Sequence, residues 1–232
     1  MYLLMTMAAL QTRNQELRFA SPAAHKPRRV LNAGSGLKSI ERLGTVFDRS
    51  EWDEIRIDLD PGVAPDVVGS MTDMRAHFNA QSFDAIWSSH SLEHLHGHEI
   101  PVALAEFRRI LKVDGFALIT CPDLETVMTL FLKHGPDHVI YQSPAGPITP
   151  LDMMFGHGRS IAAGHVHMAH NSGLTAARLT NLLRQAGFAD AVVKRHEFDL
   201  WAVGLMPRTD RNVILRKMAA AGLDLSDATR RT

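Results

Sequence analysis

RRVLNAGSGLKSIERL, residues 28–43, joins an apolar strand to a glycine turn. Val30 and Leu31 carry the strand, and Gly34 and Gly36 stand two apart just after it. Glycines so placed let a backbone come very close to a ligand. The dinucleotide fingerprint asks for G-x-G-x-x-G/A, and the third position here is Ser39. The phosphate-binding pattern G-x-x-x-x-G-K-[ST] has no match in the chain. The turn can therefore hold a ligand closely, but it lacks the usual geometry for a pyrophosphate.

Working outward, strand and helix signals alternate. EIRIDLD (54–60) alternates apolar Ile55, Ile57 and Leu59 with polar residues and stops at Pro61-Gly62. A short strand centres on Val67 and Val68, and FDAIWSS (83–89) forms the next. Ile100, Leu104, Phe107 and Leu111 make one stripe of an amphipathic helix, with Pro101 in its first turn and Gly115 expected at its C-terminal cap. FALITCP is a strand apolar enough to be buried on both faces. From about 124 to 172 the pattern loosens into Pro-, Gly- and His-rich stretches, which reads as a lid or insertion. Thr175 then caps the helix AARLTNLLRQA, with Leu174 packing on Leu179 as a staple and Gly187 ending it. ADAVVKR and LWAVGLM are separated only by a few residues around HEF, too few for a parallel crossover, so they pair as an antiparallel hairpin. The expected architecture is an α/β, Rossmann-like three-layer sandwich: a mostly parallel sheet, helices on both faces, and an antiparallel close.

Composition narrows the function. The 232 residues suit one domain, 28–206, flanked by an N-terminal extension (1–27) and a C-terminal tail (207–232). With 25 basic and 25 acidic residues the net charge is zero, so a global basic field for nucleic acid is absent; the basic residues gathered at the two ends read as solvated termini. The single cysteine, Cys121, allows no internal disulfide, which suits a reducing, cytoplasmic compartment. MYLLMTMAAL is apolar, but it has no basic segment before it and is too short to span a bilayer. The partner expected is a small-molecule acceptor, with no nucleic acid and no membrane; a homodimer is compatible.

Further clues surround the turn. Asp58 lies 22 residues after Gly36, where a carboxylate can accept both hydroxyls of a ribose. In VGSMTDM, Asp73 and the backbone of Met74 are placed to meet an adenine edge. In SFDAIWSSHSLEHL a strand ends in small polar residues that do not crowd a ligand. A nucleoside held without pyrophosphate suits S-adenosylmethionine. VLNAGSG, IDLDP, VGSMTDM, SFDAIWSSHSLEHL and EFRRILKVDGFALITCPD, in that order, resemble the motifs of class I S-adenosylmethionine-dependent methyltransferases of the small-molecule type, and GLTAARLTNLLRQAGF resembles that family's last helix. The resemblance implies seven strands in the order 3-2-1-4-5-7-6, with strand 7 antiparallel. It also implies that Asn32, Gly34, Ser35 and Gly36 line the methionine part of the cofactor, that Asp58 with Leu59 holds the ribose, that Asp73 and Met74 face adenine, and that Ser88 and Ser89 border the cofactor. Two positions depart from the pattern: Asn32 stands where an acid is frequent, and Lys38 where a third glycine is usual. A degenerate, non-catalytic cofactor-binding or scaffold protein is therefore the alternative reading. A nicotinamide-dependent oxidoreductase is disfavoured by Ser39 and by the lack of a Tyr-x-x-x-Lys pair.

Methyl transfer is an in-line displacement at an already activated carbon, so the protein's task is to position the acceptor and exclude water. If the acceptor carries a proton a base helps, and His90, just after the fourth strand, is the first candidate, with His94 one turn on. His96 and His98 read as surface residues. In the insertion, His165 and His167 would share a face if extended and, with His170 or His157, could meet a metal. No acidic or cysteine partner follows at a standard spacing, so no metal is expected. The insertion is instead expected to fold over the cofactor and contribute Tyr141, His157, His165 and His170 to an acceptor pocket, with Met153, Met154 and Phe155 in its core.

Overall fold

The computed structural model describes residues 26–37 and 46–226. Strand β1 (Arg28–Ala33) lies between β2 (Trp52–Asp58) and β4 (Phe83–Ser89), and β3 (Val67–Val68) flanks β2. Beyond β4 come β5 (Leu111–Pro122) and then the hairpin partners β9 (Asp199–Leu205) and β8 (Asp190–His196). The seven-stranded order is β3-β2-β1-β4-β5-β9-β8, parallel as far as β5 and antiparallel at both later pairings. Because the short β6 (Tyr141–Ser143) and β7 (Gly146–Ile148) lie outside this sheet, the order is the expected one with the last two strands renumbered.

Helices cover both faces. On one, α1 (Ile100–Ile110) and α5 (Ala176–Gln185) bury Leu104, Phe107, Leu179 and Leu183 against Leu31, Ile57, Ile86 and Ile119. Thr175 caps α5 by accepting from the Arg178 N–H, as its sequence predicts. On the other face, α6 (Arg211–Ala220) sets Ile214 and Met218 against Val30, Phe116, Leu118 and Val203. The stretch expected as a C-terminal tail thus includes, in its described part, a capped helix that completes the second layer. The expected cap at Gly115 is also corrected. The helix stops at Ile110, and Gly115 lies inside the longer β5, which breaks register where it pairs with Phe83 and Ala85.

The loosely patterned stretch 124–172 has structure of its own. It contains α2 (Leu124–His134), a hairpin of β6 (Tyr141–Ser143) and β7 (Gly146–Ile148), then α3 (Pro150–Phe155) and α4 (Gly158–Ala162). Val127, Ile148 and Met153 form a small core of this cap, with Ile140, Met154 and Phe198 packed on it, whereas Phe155 is exposed. The chain returns across Gly156, where a Cβ would come within 2.0 Å of the Met168 carbonyl, so no side chain is admitted there. No helix among the described residues is long and apolar enough to cross a membrane. Lys38, Ser39 and the N-terminal extension through residue 25 lie outside the described residues.

Candidate functional site

Parallel strands bring their carboxyl ends to one edge, where ligands of open α/β sheets bind. Antiparallel β9 adds its first residue there, because Asp199 pairs with Pro122 at the end of β5. That edge divides into a turn side, at β1 and β2, and a histidine side, at β4, β5 and β9.

On the turn side Gly34 and Gly36 both adopt positive φ, 67° and 57°. A Cβ on Gly34 would lie 2.5 Å from the Ser91 Cβ, so the residue is required by packing as well as by backbone conformation. Ser91 donates to the Ala33 carbonyl at 3.0 Å and is itself within 3.3 Å of the Ser88 hydroxyl, which ties the end of β4 to the end of β1. Asp58 accepts from the Gly36 N–H at 2.8 Å through Oδ2 and from the Asp60 N–H at 2.9 Å through Oδ1. Arg56, almost wholly buried, donates to the carbonyls of Gly36, Val63 and Ala64. The sequence signal for this is an arginine in the middle of an apolar alternation, a position it can hold only with carbonyl partners.

Other expected residues are placed differently. Asn32 is buried and donates to Glu54 Oε1 at 2.9 Å, so its amide N–H is committed across to β2. The Met74 N–H, expected at an adenine edge, donates to Glu106 Oε2 at 2.9 Å, and its side chain is core; the adenine contact expected of that N–H is therefore withdrawn. Glu106 is clamped by Arg109 through two 2.7 Å hydrogen bonds, and Arg109 reaches on to the Phe78 carbonyl. The Arg109 hydrogen bonds hold the Glu106 carboxyl below its ordinary pKa, against the opposing effect of burial. Asp73 and Leu59 are exposed, Ser35 and Ser88 are buried, and Ser89 accepts from Thr120 Oγ1 at 3.0 Å.

On the histidine side, His90 has φ +49°, a conformation uncommon for a residue with a side chain. Its Nδ1 is 3.3 Å from Glu93 Oε1 and its Nε2 3.3 Å from Asp199 Oδ2. Burial alone would lower its pKa, but hydrogen bonding and charge from the two carboxylates outweigh that and raise it to about 10. An imidazole with both nitrogens facing carboxylates has no free lone pair for a substrate proton, which corrects the expectation of His90 as a base. Asp199 and Glu93 were not singled out in the sequence.

His94 and His170 meet ring to ring, with centroids 4.9 Å apart. Each Nδ1 faces a backbone carbonyl at 3.0 Å, that of Ala169 for His94 and that of Met153 for His170. Burial holds His170 below its ordinary pKa. Four hydrogen bonds clasp this part of the cap to the end of β4. The Asn171 and Ser172 N–H groups donate to the Glu93 carbonyl, the Asn171 amide donates to the His94 carbonyl, and the fourth is His94 to Ala169. Tyr141 stacks on Phe198 at 5.7 Å beside Asp199, and burial followed by the Asp199 and Asp152 charges raises its pKa. His157 is buried on Ser160 at 2.7 Å. His165 and His167 are exposed around a 3-10 turn (Val166–Met168), so they do not form the extended pair that was expected. Of the four cap residues expected in an acceptor pocket, His170 and Tyr141 lie near the carboxyl edge of the sheet through their partners, His157 is turned to Ser160 instead, and His165 is exposed.

A methyltransferase-domain family model matches residues 46–119, from just before β2 through most of β5. This is the class I methyltransferase fold. Among solved structures, a SAM-dependent methyltransferase from Archaeoglobus fulgidus aligns over 87% of this chain and 93% of its own, with 13% identity and a TM-score of 0.51. The PH0226 protein from Pyrococcus horikoshii aligns over 87% of this chain and 90% of its own, with 14% identity and a TM-score of 0.50. The chain spans 47% of the citrinin polyketide synthase CMeT domain structure, with 16% identity over 80% of its own length and a TM-score of 0.48, too loose to argue from. No curated protein matches. Similarities at these identities establish the methyltransferase fold and leave the reaction to be argued from the site.

Proposed function

We propose that this protein binds S-adenosylmethionine at the turn side and transfers its methyl group to a small or medium-sized acceptor held at the histidine side, beneath the 141–170 cap. The supporting observation is the pair of left-handed glycines at the end of β1, pinned by Asp58 and closed against Ser91. A Cβ at Gly34 would collide with Ser91, so the turn stays bare and closes tightly on the segment after β4. The cofactor, when bound, supplies a methyl carbon already activated by positive sulfur. The chain's own residues do the rest. Each Asp58 oxygen accepts one backbone N–H and keeps a lone pair for a ribose hydroxyl. The small side chains of Ser88 and Ser89 leave room at the end of β4, with Ser88 wholly buried. His90 holds the Glu93 and Asp199 carboxylates together as their counter-ion. The cap excludes water and, with Tyr141 and His170, orients the acceptor.

Binding calorimetry tests this. S-adenosylhomocysteine is expected to bind and NAD to give no heat. Asp58→Ala is expected to weaken binding at least about tenfold, since a hydrogen bond to a charged group contributes about 1.5–3 kcal/mol. An unchanged affinity in a variant that melts like the parent chain overturns the assignment of the pocket.

A further inference from the structure

Glu93, His94 and His170 each offer one ligand atom, and these atoms all lie within 4.8 Å of one another. Each has the features of a metal ligand for a separate reason. With Nδ1 of both histidines turned to backbone carbonyls, Nε2 is the nitrogen left to coordinate. A ring nitrogen anchored on a carbonyl is the usual support behind a metal-bound histidine, because it fixes the tautomer and the ring orientation. Glu93 supplies the charge. Its side chain is 3% exposed and neither carboxylate oxygen has a hydrogen bond of good geometry; the partner it has is the His90 ring, 3.3 Å from Oε1. A buried carboxylate left without hydrogen bonds costs free energy unless something else satisfies it. The unsatisfied Ser172 hydroxyl lines the same small hollow as Glu93 and His170.

We propose that Glu93, His94 and His170 bind one divalent transition-metal ion. Two imidazoles and one carboxylate suit a borderline ion such as Zn2+ and leave coordination positions open. Ligand atoms around such an ion stand about 3.3 Å apart at bond lengths of about 2.0–2.1 Å, so the three side chains close inward by roughly an ångström. The four hydrogen bonds between 169–172 and 93–94 fix the backbone on both sides, which makes the site a staple between cap and sheet. This departs from the expectation of no metal. The missing acidic partner is Glu93, far earlier in the chain than the histidine-rich segment. The ion's use rests on the methyl-transfer reading. Next to the end of β4, an open coordination position takes an acceptor with an ionisable hydroxyl, because a bound cation lowers the pKa of an oxygen it holds.

The test uses the full chain dialysed against a chelator and then titrated with Zn2+ by calorimetry, with Co2+ absorption bands as a second readout. One Zn2+ per chain is expected, with affinity falling about 100-fold or more in His170→Ala and in Glu93→Gln, and unchanged in His96→Ala. Glu93→Gln, close in shape to the parent residue, carries the test if His170→Ala does not fold. No binding of Zn2+, or binding that survives both substitutions, overturns the site. S-adenosylhomocysteine affinity measured on the same metal-free protein tests the methyl-transfer reading separately, so failure of one is distinct from failure of the other.

Discussion

Glu106 and Glu93 are both buried glutamates, and they are treated in opposite ways. Glu106 is fully engaged. It takes the Met74 N–H and both arms of the Arg109 guanidinium, and so anchors the loop after β3 to α1. Glu93 is equally hidden, and no hydrogen bond of good geometry reaches its carboxylate. A buried carboxylate with every partner supplied from its own chain is structural. One buried without them, among histidines whose other nitrogens are anchored, is kept for something that arrives later. The Glu106 site is finished by the protein itself, whereas the Glu93 site is built to be completed.

The sharpest way to break this contrast is Glu106→Ala. Removing one member of a buried charge pair leaves the other uncompensated and typically costs about 3–5 kcal/mol. Chemical denaturation is expected to show a loss of that order, with the loop at 74–78 losing protection from hydrogen exchange. A loss below about 1 kcal/mol would mean that Glu106 is no anchor.

Acid gives a milder version of the same test. The Glu106 carboxyl is held below its ordinary pKa, chiefly by Arg109, so its contribution is fully present above the unfolded-state value of about 4.3. That contribution fades as pH falls through the depressed folded-state value. Stability of the parent chain is therefore expected to drop more steeply between about pH 5 and pH 3 than that of Glu106→Gln, which has no carboxyl there to protonate. Parallel curves would remove Glu106 from the account.

The same contrast explains what the sequence disclosed. The turn side was legible because its parts are local: Gly34 and Gly36 are near neighbours, and Asp58 ends the next strand. Strand alternation and the stripe Ile100, Leu104, Phe107 gave the sheet and α1 for the same reason, since burial repeats at a fixed period. The helix α2 was harder. Only Val127 is fully buried in it, while Met128 and Leu132 are 49% and 82% exposed, so no continuous apolar stripe announces it. The histidine side was hardest of all. Asn171 bonds the His94 carbonyl across 77 residues of chain, and no spacing rule pairs Glu93 with His170. Singling out His165 and His167 followed their proximity in sequence, which a 3-10 turn then separated.

The smallest expected effect is also the one that most directly separates the two glutamates. Glu93→Gln keeps the shape and removes the charge. His90 does not lose its counter-ion, because Asp199 remains 3.3 Å from Nε2 and the ring is 46% exposed on its side chain. Since what is lost is the 3.3 Å charge pairing with a half-exposed His90 that keeps Asp199, metal-free Glu93→Gln is expected to stay within about 1 kcal/mol of the parent chain, against the several lost at Glu106. The comparison is made by urea denaturation after chelation. A large loss at Glu93 would show that its carboxylate already works within the folded chain, and the two glutamates would then belong to one class. A small loss, paired with the large one at Glu106, means that the fold does not need the Glu93 charge for its own stability, which is the condition for reserving that charge for a ligand.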